Sequence, residues 1–271
     1  MDFYKILNKN EHHHNIYYKF GLNIDPIKFN PSGDCKPGGI YFSREDILAF
    51  LEYGPWIRKV TIPEDAQIYK NPGKPKKWKA DKVILGKKEK INLKVIKRLI
   101  DEGADPQVND NFPIKWAIRN DFLKIVKLLL PLSDISVWNY YPLKIAVFKG
   151  YTNIVKQLLP QSNSKINDKF LILATERGHL DIVKLLIPLS KNKFQKSKAL
   201  CISASMGHIK ITKYLIPFSD PTYLNSKALR YAAENEHIEI VKLLLPVSKI
   251  DNTVIKYCKE YCNNQEILDL L

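Results

Sequence analysis

Five nineteen-residue stretches of this chain align with one another without a gap: PIKWAIRNDFLKIVKLLLP (Pro113 to Pro131), PLKIAVFKGYTNIVKQLLP (Pro142 to Pro160), FLILATERGHLDIVKLLIP (Phe170 to Pro188), ALCISASMGHIKITKYLIP (Ala199 to Pro217) and ALRYAAENEHIEIVKLLLP (Ala228 to Pro246). Their closing prolines recur every 28 or 29 residues. In step with them come a small residue (Ala117, Ala146, Ala174, Ser203, Ala232) and a turn residue (Asp121, Gly150, Gly178, Gly207, Glu236). A fixed period of this size implies stacked supersecondary units, none of which can bury its apolar face alone.

Each unit predicts two short antiparallel helices. In the first, Ile114, Trp116 and Ala117, or Leu143, Ile145 and Ala146, fall on one face, and the small residue lets the next unit approach. The glycine that follows supplies a left-handed helix end at low steric cost. The second helix carries Ile125, Val126, Leu128 and Leu129, with Ile154, Val155, Leu158 and Leu159 one unit on, and the proline ends it.

These units resemble the ankyrin family over about 180 residues, from Ile91 to Leu271. Phe112 to Ala117 and Tyr141 to Ala146 stand where the family has T-P-L-H-x-A, and Gly178 to Leu186 follows G-H-L-x-V-V-x-L-L almost letter for letter. Leu93 to Pro106 reads as the second helix and loop of an earlier unit. One departure is consistent. Pro-x-Ser replaces the Gly-Ala-Asp junction everywhere except Gly103-Ala104-Asp105-Pro106. The expected fold is mainly α: about five full units plus partial end units, with the projecting hairpin fingers shortened or lost. Asp251 to Leu271 is expected to be the terminal cap.

Residues 1 to 90 lack the repeat and are expected to form a small α+β module, giving domains 1–90 and 91–271. Gly38-Gly39-Ile40-Tyr41-Phe42 predicts a turn into a strand. Ser43 with Asp46 suggests a capping box opening a helix that buries Ile47, Leu48, Phe50 and Leu51 and stops at Gly54-Pro55. Trp56 to Ile62, Ala66 to Tyr69 and Val83 to Leu85 read as strands, and Asn71 to Lys79 as a basic loop. The run from Gly38 to Gly86 is similar to the leader module of ankyrin proteins from amoeba-infecting giant DNA viruses. His12 to His14 read as an exposed tract, since three adjacent side chains do not converge on one metal ion.

The formal net charge is +15. It is mostly lysine in a chain rich in Asn, Ile and Tyr, a bias that AT-rich coding also produces, so it argues only weakly for a nucleic-acid partner. Cys35, Cys201, Cys258 and Cys262 are too scattered for a disulfide framework or a zinc site and are expected to be reduced thiols. With no apolar run long enough for a membrane span or a signal core, the expectation is an intracellular, cytoplasmic protein that is neither secreted nor inserted in a membrane. No motif calls for a cofactor or a metal, or marks an enzyme.

The ankyrin resemblance implies a protein-interaction scaffold whose partner, in the giant-virus case a host-cell protein, lies on the concave side. Carried over by position, the contact residues are Arg119, Phe148, Lys149, Glu176, Arg177, Met206 and Asn235, with Trp138 and Tyr140 in the preceding loop. It also implies that His179, His208 and His237 hydrogen-bond local backbone. Lys97, Lys127, Lys156, Lys184, Lys213 and Lys242 should form a ladder on the outer helix layer. The competing reading is a nucleic-acid or anionic-surface binder using the Lys-rich 70–90 segment, with Trp78 as a stacking group.

Overall fold

The computed structural model describes residues 1–13, 16–32, 36–133, 140–161 and 164–271. The chain divides into two compact units, Met1–Asp134 and Ile135–Leu271.

Among the described residues the first unit begins with two larger antiparallel sheets and a two-stranded ribbon. Strands β1 (Phe3–Leu7), β4 (Gly21–Ile24), β6 (Trp56–Thr61) and β9 (Lys82–Lys90) form one in the order β1-β6-β9-β4. The other runs β5-β8-β7, from β5 (Ile40–Phe42), β7 (Ile68–Lys70) and β8 (Trp78–Ala80). Leu7, Val60, Val83 and Leu85 from the larger sheet meet Ile40, Phe42 and Ala80 from the smaller one in a shared core.

Several local expectations are corrected. The 3-10 helix Ile47–Tyr53 buries Ile47, Leu48 and Leu51 as the pattern predicts, while Phe50 is only half-buried. The capping box does not form, because both of its side chains are taken by another segment. The Ser43 hydroxyl donates to the Lys76 carbonyl at 2.7 Å, and the Asp46 carboxylate accepts the Lys76 N–H at 2.6 Å. The end of the basic loop is β8. His12 and His13 are not a free tract: they form β2 (His12–His13), paired with β3 (Ile16–Tyr17). The neighbouring Glu11 is held by Arg58 Nη2 at 2.9 Å, with side chains 14% and 6% exposed.

Helices α1 (Leu93–Asp101), α2 (Val108–Arg119) and α3 (Leu123–Leu129) pack with these sheets in the same unit. The 3-10 helix lies against α2. Tyr4 Oη donates to Glu102 Oε2 at 2.8 Å, and the Asp105 N–H donates to the Glu45 carbonyl at 2.7 Å. Arg98 makes a two-pronged bond to Glu89, both contacts at 2.8 Å. The compact-unit boundary therefore falls at Asp134, although the sequence changes character near residue 90.

The second unit is a two-layer stack. First helices α4 (Tyr141–Lys149), α6 (Ser164–Glu176), α8 (Lys193–Ser205), α10 (Tyr223–Glu234) and α12 (Asn252–Tyr261) pack each on the next. Second helices α5 (Thr152–Leu158), α7 (Leu180–Leu186), α9 (Ile209–Leu215), α11 (Ile238–Leu244) and α13 (Gln265–Leu270) do the same. The small positions Ala146, Ala174, Ser203 and Ala232 are fully buried. Ser203 is tolerated there because its hydroxyl donates to the Leu200 carbonyl and accepts from Thr212, which replaces the valine of the other units, at 2.9 Å. The prolines do not end the second helices outright. Each helix tightens into one 3-10 turn through its proline, as in Ile187–Leu189 and Ile216–Phe218. Among the described residues no strand follows Lys90, and no hairpin finger is formed by them.

Successive repeats of this unit interlock through a glycine and a histidine. Gly150, Gly178 and Gly207 end first helices in the left-handed region, with φ of 77°, 74° and 73°. Each lies under the imidazole of the next repeat. A Cβ on Gly150, Gly178 or Gly207 would stand 2.7, 3.0 or 2.8 Å from Cε1 of His179, His208 or His237. The same rings reach back across the repeat boundary. Nε2 donates to the carbonyls of Phe148, Glu176 and Ser205 at 3.2, 3.3 and 3.0 Å. The expected local bonds are thus bonds between repeats. Glu236 takes the same left-handed turn, with φ of 59°, and residues 238–271 hold no histidine to sit on it.

Replacing Gly178 by alanine combines a left-handed strain with a collision against His208, and is expected to cost about 2 kcal/mol in urea unfolding of the full chain. Glu236→Ala, already a side-chain-bearing residue at the equivalent turn, should cost less than about 0.5 kcal/mol. Combining Gly178→Ala with His208→Ala should cost less than the two single changes added together.

Candidate interaction surface

The positions carried over for partner contact are the C-terminal ends of the first helices. In the second unit the histidine interlock fixes their backbone, since the bonded carbonyls are those of Phe148, Glu176 and Ser205. Side chains at and after these carbonyls are exposed, namely Phe148, Lys149, Glu176, Arg177 and Met206, and so is Asn235 at the end of α10, which no described histidine bonds.

Two of them are brought together. The Arg177 guanidinium carbon lies 3.9 Å from the centre of the Phe148 ring, one repeat back. A guanidinium stacked on an aromatic face keeps its edge N–H groups free for a carboxylate. Met206 is 55% exposed and extends the apolar part of the row. Asn235 is partly engaged, its amide donating to the Tyr231 carbonyl at 2.9 Å, where it closes α10.

Other expected members stand elsewhere. Arg119 belongs to the first unit and is committed there: Nη2 meets Glu52 Oε1 at 2.7 Å, and its guanidinium lies 5.6 Å from the Phe112 ring centre. Its guanidinium is thus engaged within the first unit. Tyr140 adopts a left-handed conformation, φ 58°, and its carbonyl accepts from Lys144 N as α4 begins. Trp138 and the thiol of Cys35 lie outside the described residues.

The outer lysines Lys97, Lys127, Lys156, Lys184, Lys213 and Lys242 are all exposed. Two have acidic neighbours: Lys184 is 3.8 Å from Asp181, and Lys242 is 3.6 Å from Glu239 and 3.1 Å from Glu266. The field of the ladder is thereby weakened at these steps. In the 70–90 segment Trp78 is half-buried, edge-on to Phe3 at 5.1 Å, with Lys70 5.5 Å from its ring centre. It is a wall of the core and not a displayed stacking platform.

Cys201, Cys258 and Cys262 are buried and free. Burial pushes the Cys201 and Cys258 thiols up to about 11. Among the described residues no three His, Cys, Asp or Glu side chains are grouped to hold a metal ion, and no helix is long and apolar enough to cross a membrane.

Stacked helical hairpins with interlocked turns define a helical-repeat protein. The family model for ankyrin repeats, in three-copy form, matches residues 87–170 and 171–256, and the chain belongs to that family. The curated relatives include three from Acanthamoeba polyphaga mimivirus. One, a putative ankyrin repeat protein, is 39% identical over 127 residues, covering 43% of this chain and 40% of its own length. An uncharacterized protein is 39% identical over 133 residues, 47% of this chain and 96% of its own. A second putative ankyrin repeat protein is 33% identical over 134 residues, 47% of this chain and 66% of its own. This chain thus spans less than half of the first relative's length. Ankyrin repeats generally mediate protein–protein contact, and no catalytic family is indicated.

The thiol environment gives a direct check. At pH 8 Cys201 and Cys258 are expected to carry about hundredfold less thiolate than free cysteine, and to react correspondingly slowly with a disulfide reagent until denaturant is added. Full reaction of all thiols within seconds in the native protein would contradict the buried placement.

Proposed function

We propose that the second unit recognises a protein partner, in the cytoplasm of the host cell, through the exposed ends of its first helices on the concave side of the ankyrin stack. The single observation that supports this reading is the Arg177–Phe148 stack, 3.9 Å from guanidinium to ring centre and open to solvent. It places a flat apolar anchor and a fixed bidentate donor side by side, a pairing that suits a partner segment with an apolar residue next to a carboxylate. Met206 adds apolar contact one repeat on. Lys149, Glu176 and Asn235 form the polar rim that fixes register. The family's general use of ankyrin repeats and the mimivirus relatives point the same way.

Affinity purification of the tagged full chain from amoeba lysate, after brief cross-linking, tests it. Partners captured by the natural sequence should bind a Phe148→Ala, Arg177→Ala, Met206→Ala variant about thirtyfold more weakly, the loss of roughly 2 kcal/mol expected of an anchor cluster. A Lys156→Ala, Lys213→Ala variant on the outer layer should keep them. Full retention by the triple variant would remove this surface as the binding site.

A further inference from the structure

The strand module of the first unit contains a cavity that the ankyrin reading does not use. Tyr4 and Ser43 exchange both backbone bonds, Tyr4 N to Ser43 O at 2.8 Å and Ser43 N to Tyr4 O at 2.9 Å. Because bonding direction alternates along an antiparallel strand, the N–H and C=O of Ile6 also point away from β6 and toward β5. The strands have parted by then. Lys5 Nζ takes the Tyr41 carbonyl at 2.7 Å, and the space bordered by Ile6 is a cavity of about 280 Å³. Among the described residues no group outside the β1–β6 ladder pairs with the Ile6 backbone.

The walls of this cavity are specific in chemistry. Phe42, Ile47, Phe50 and Tyr53 make them largely apolar and aromatic, Lys5 and Lys77 bring positive charge, and no described aspartate or glutamate lines it. Lys5 is 7% exposed and lies 4.6 Å from the centre of the Tyr18 ring, and no described carboxylate forms an ion pair with it. Burial without a counter-ion holds its ammonium down at about 7. An anion entering the cavity would supply the missing charge.

Size and edge geometry narrow the ligand. A cavity of roughly 150 Å³ accepts benzene, and ordinary ligand pockets start near 300 Å³, so one flat ring system with a short polar arm fits. A peptide strand would gain little. The free edge offers one residue between the Ser43 bridge and Asn8, whose carbonyl is already bonded by the Glu11 N–H at 3.1 Å.

We propose that this cavity binds a small planar anion of nucleotide type: a heterocycle whose edge carries an acceptor and a donor for the Ile6 N–H and C=O, packed among Phe42, Phe50 and Tyr53, with its phosphate meeting Lys5 and Lys77. The site is separate from the helix-end surface of the second unit, and its test does not depend on any protein partner.

Calorimetric titration of the full chain with adenosine 5′-monophosphate and cytidine 5′-monophosphate decides it, with adenosine and inorganic phosphate as controls. At least one nucleotide should bind saturably at one site per chain, with adenosine and phosphate each about tenfold weaker or worse. Lys5→Met should weaken the nucleotide by about tenfold or more. If that variant does not melt like the natural protein, Lys77→Gln, at a more exposed position, serves in its place with a smaller loss. Three results would overturn the proposal: no saturable binding of either nucleotide, equal binding of phosphate alone, or unchanged affinity in the folded lysine variants.

Discussion

What the second unit depends on is contact between consecutive repeats, because no helical pair here has a core of its own. The glycine and histidine pairs make that contact directional. Apolar packing at Ala146, Ala174 and Ala232 lets repeats approach, but sliding along a greasy face costs little. An imidazole seated on a bare glycine and bonded to a carbonyl 31 or 32 residues earlier does not slide. The same bonds set the helix ends from which Phe148, Glu176 and Met206 project, so the scaffold and the candidate surface share one cause.

The repeat part of the fold was legible because its signal is written five times. Period, small positions, buried stripes and the lack of fingers among the described residues all followed from the register of the prolines. The histidines were located but their partners were not, since a bond to the neighbouring repeat leaves the same trace in one sequence as a bond within the turn. The trace that could have separated them is the co-occurrence itself. Glycine stands at 150, 178 and 207, where the following unit has a histidine, and Asp121, where the following unit has Tyr151, needs none.

The strand module was harder to read for physical reasons. Its strands are short, its sheets draw on residues far apart in sequence, and polar side chains that looked like local caps are bonded to distant backbone. Ser43 and Asp46 both answer to Lys76. Nothing local in the sequence marks Glu11 as held, and its partner Arg58 lies 47 residues away. Arg119 shows the converse at the candidate surface: its position in the repeat suggested a free guanidinium, and only the fold reveals that Glu52 has claimed it.

The packing of the 3-10 helix against α2 also bears on how a helical stack can end. A row of like units leaves an apolar face at each extremity, where the next unit would have come. Within the first unit the β-rich module covers one side of its own helices and joins them through Tyr4, Glu45 and Glu52. It is thus a lid on a surface that would otherwise be adhesive, one that would welcome the tail of another such stack and seed filaments.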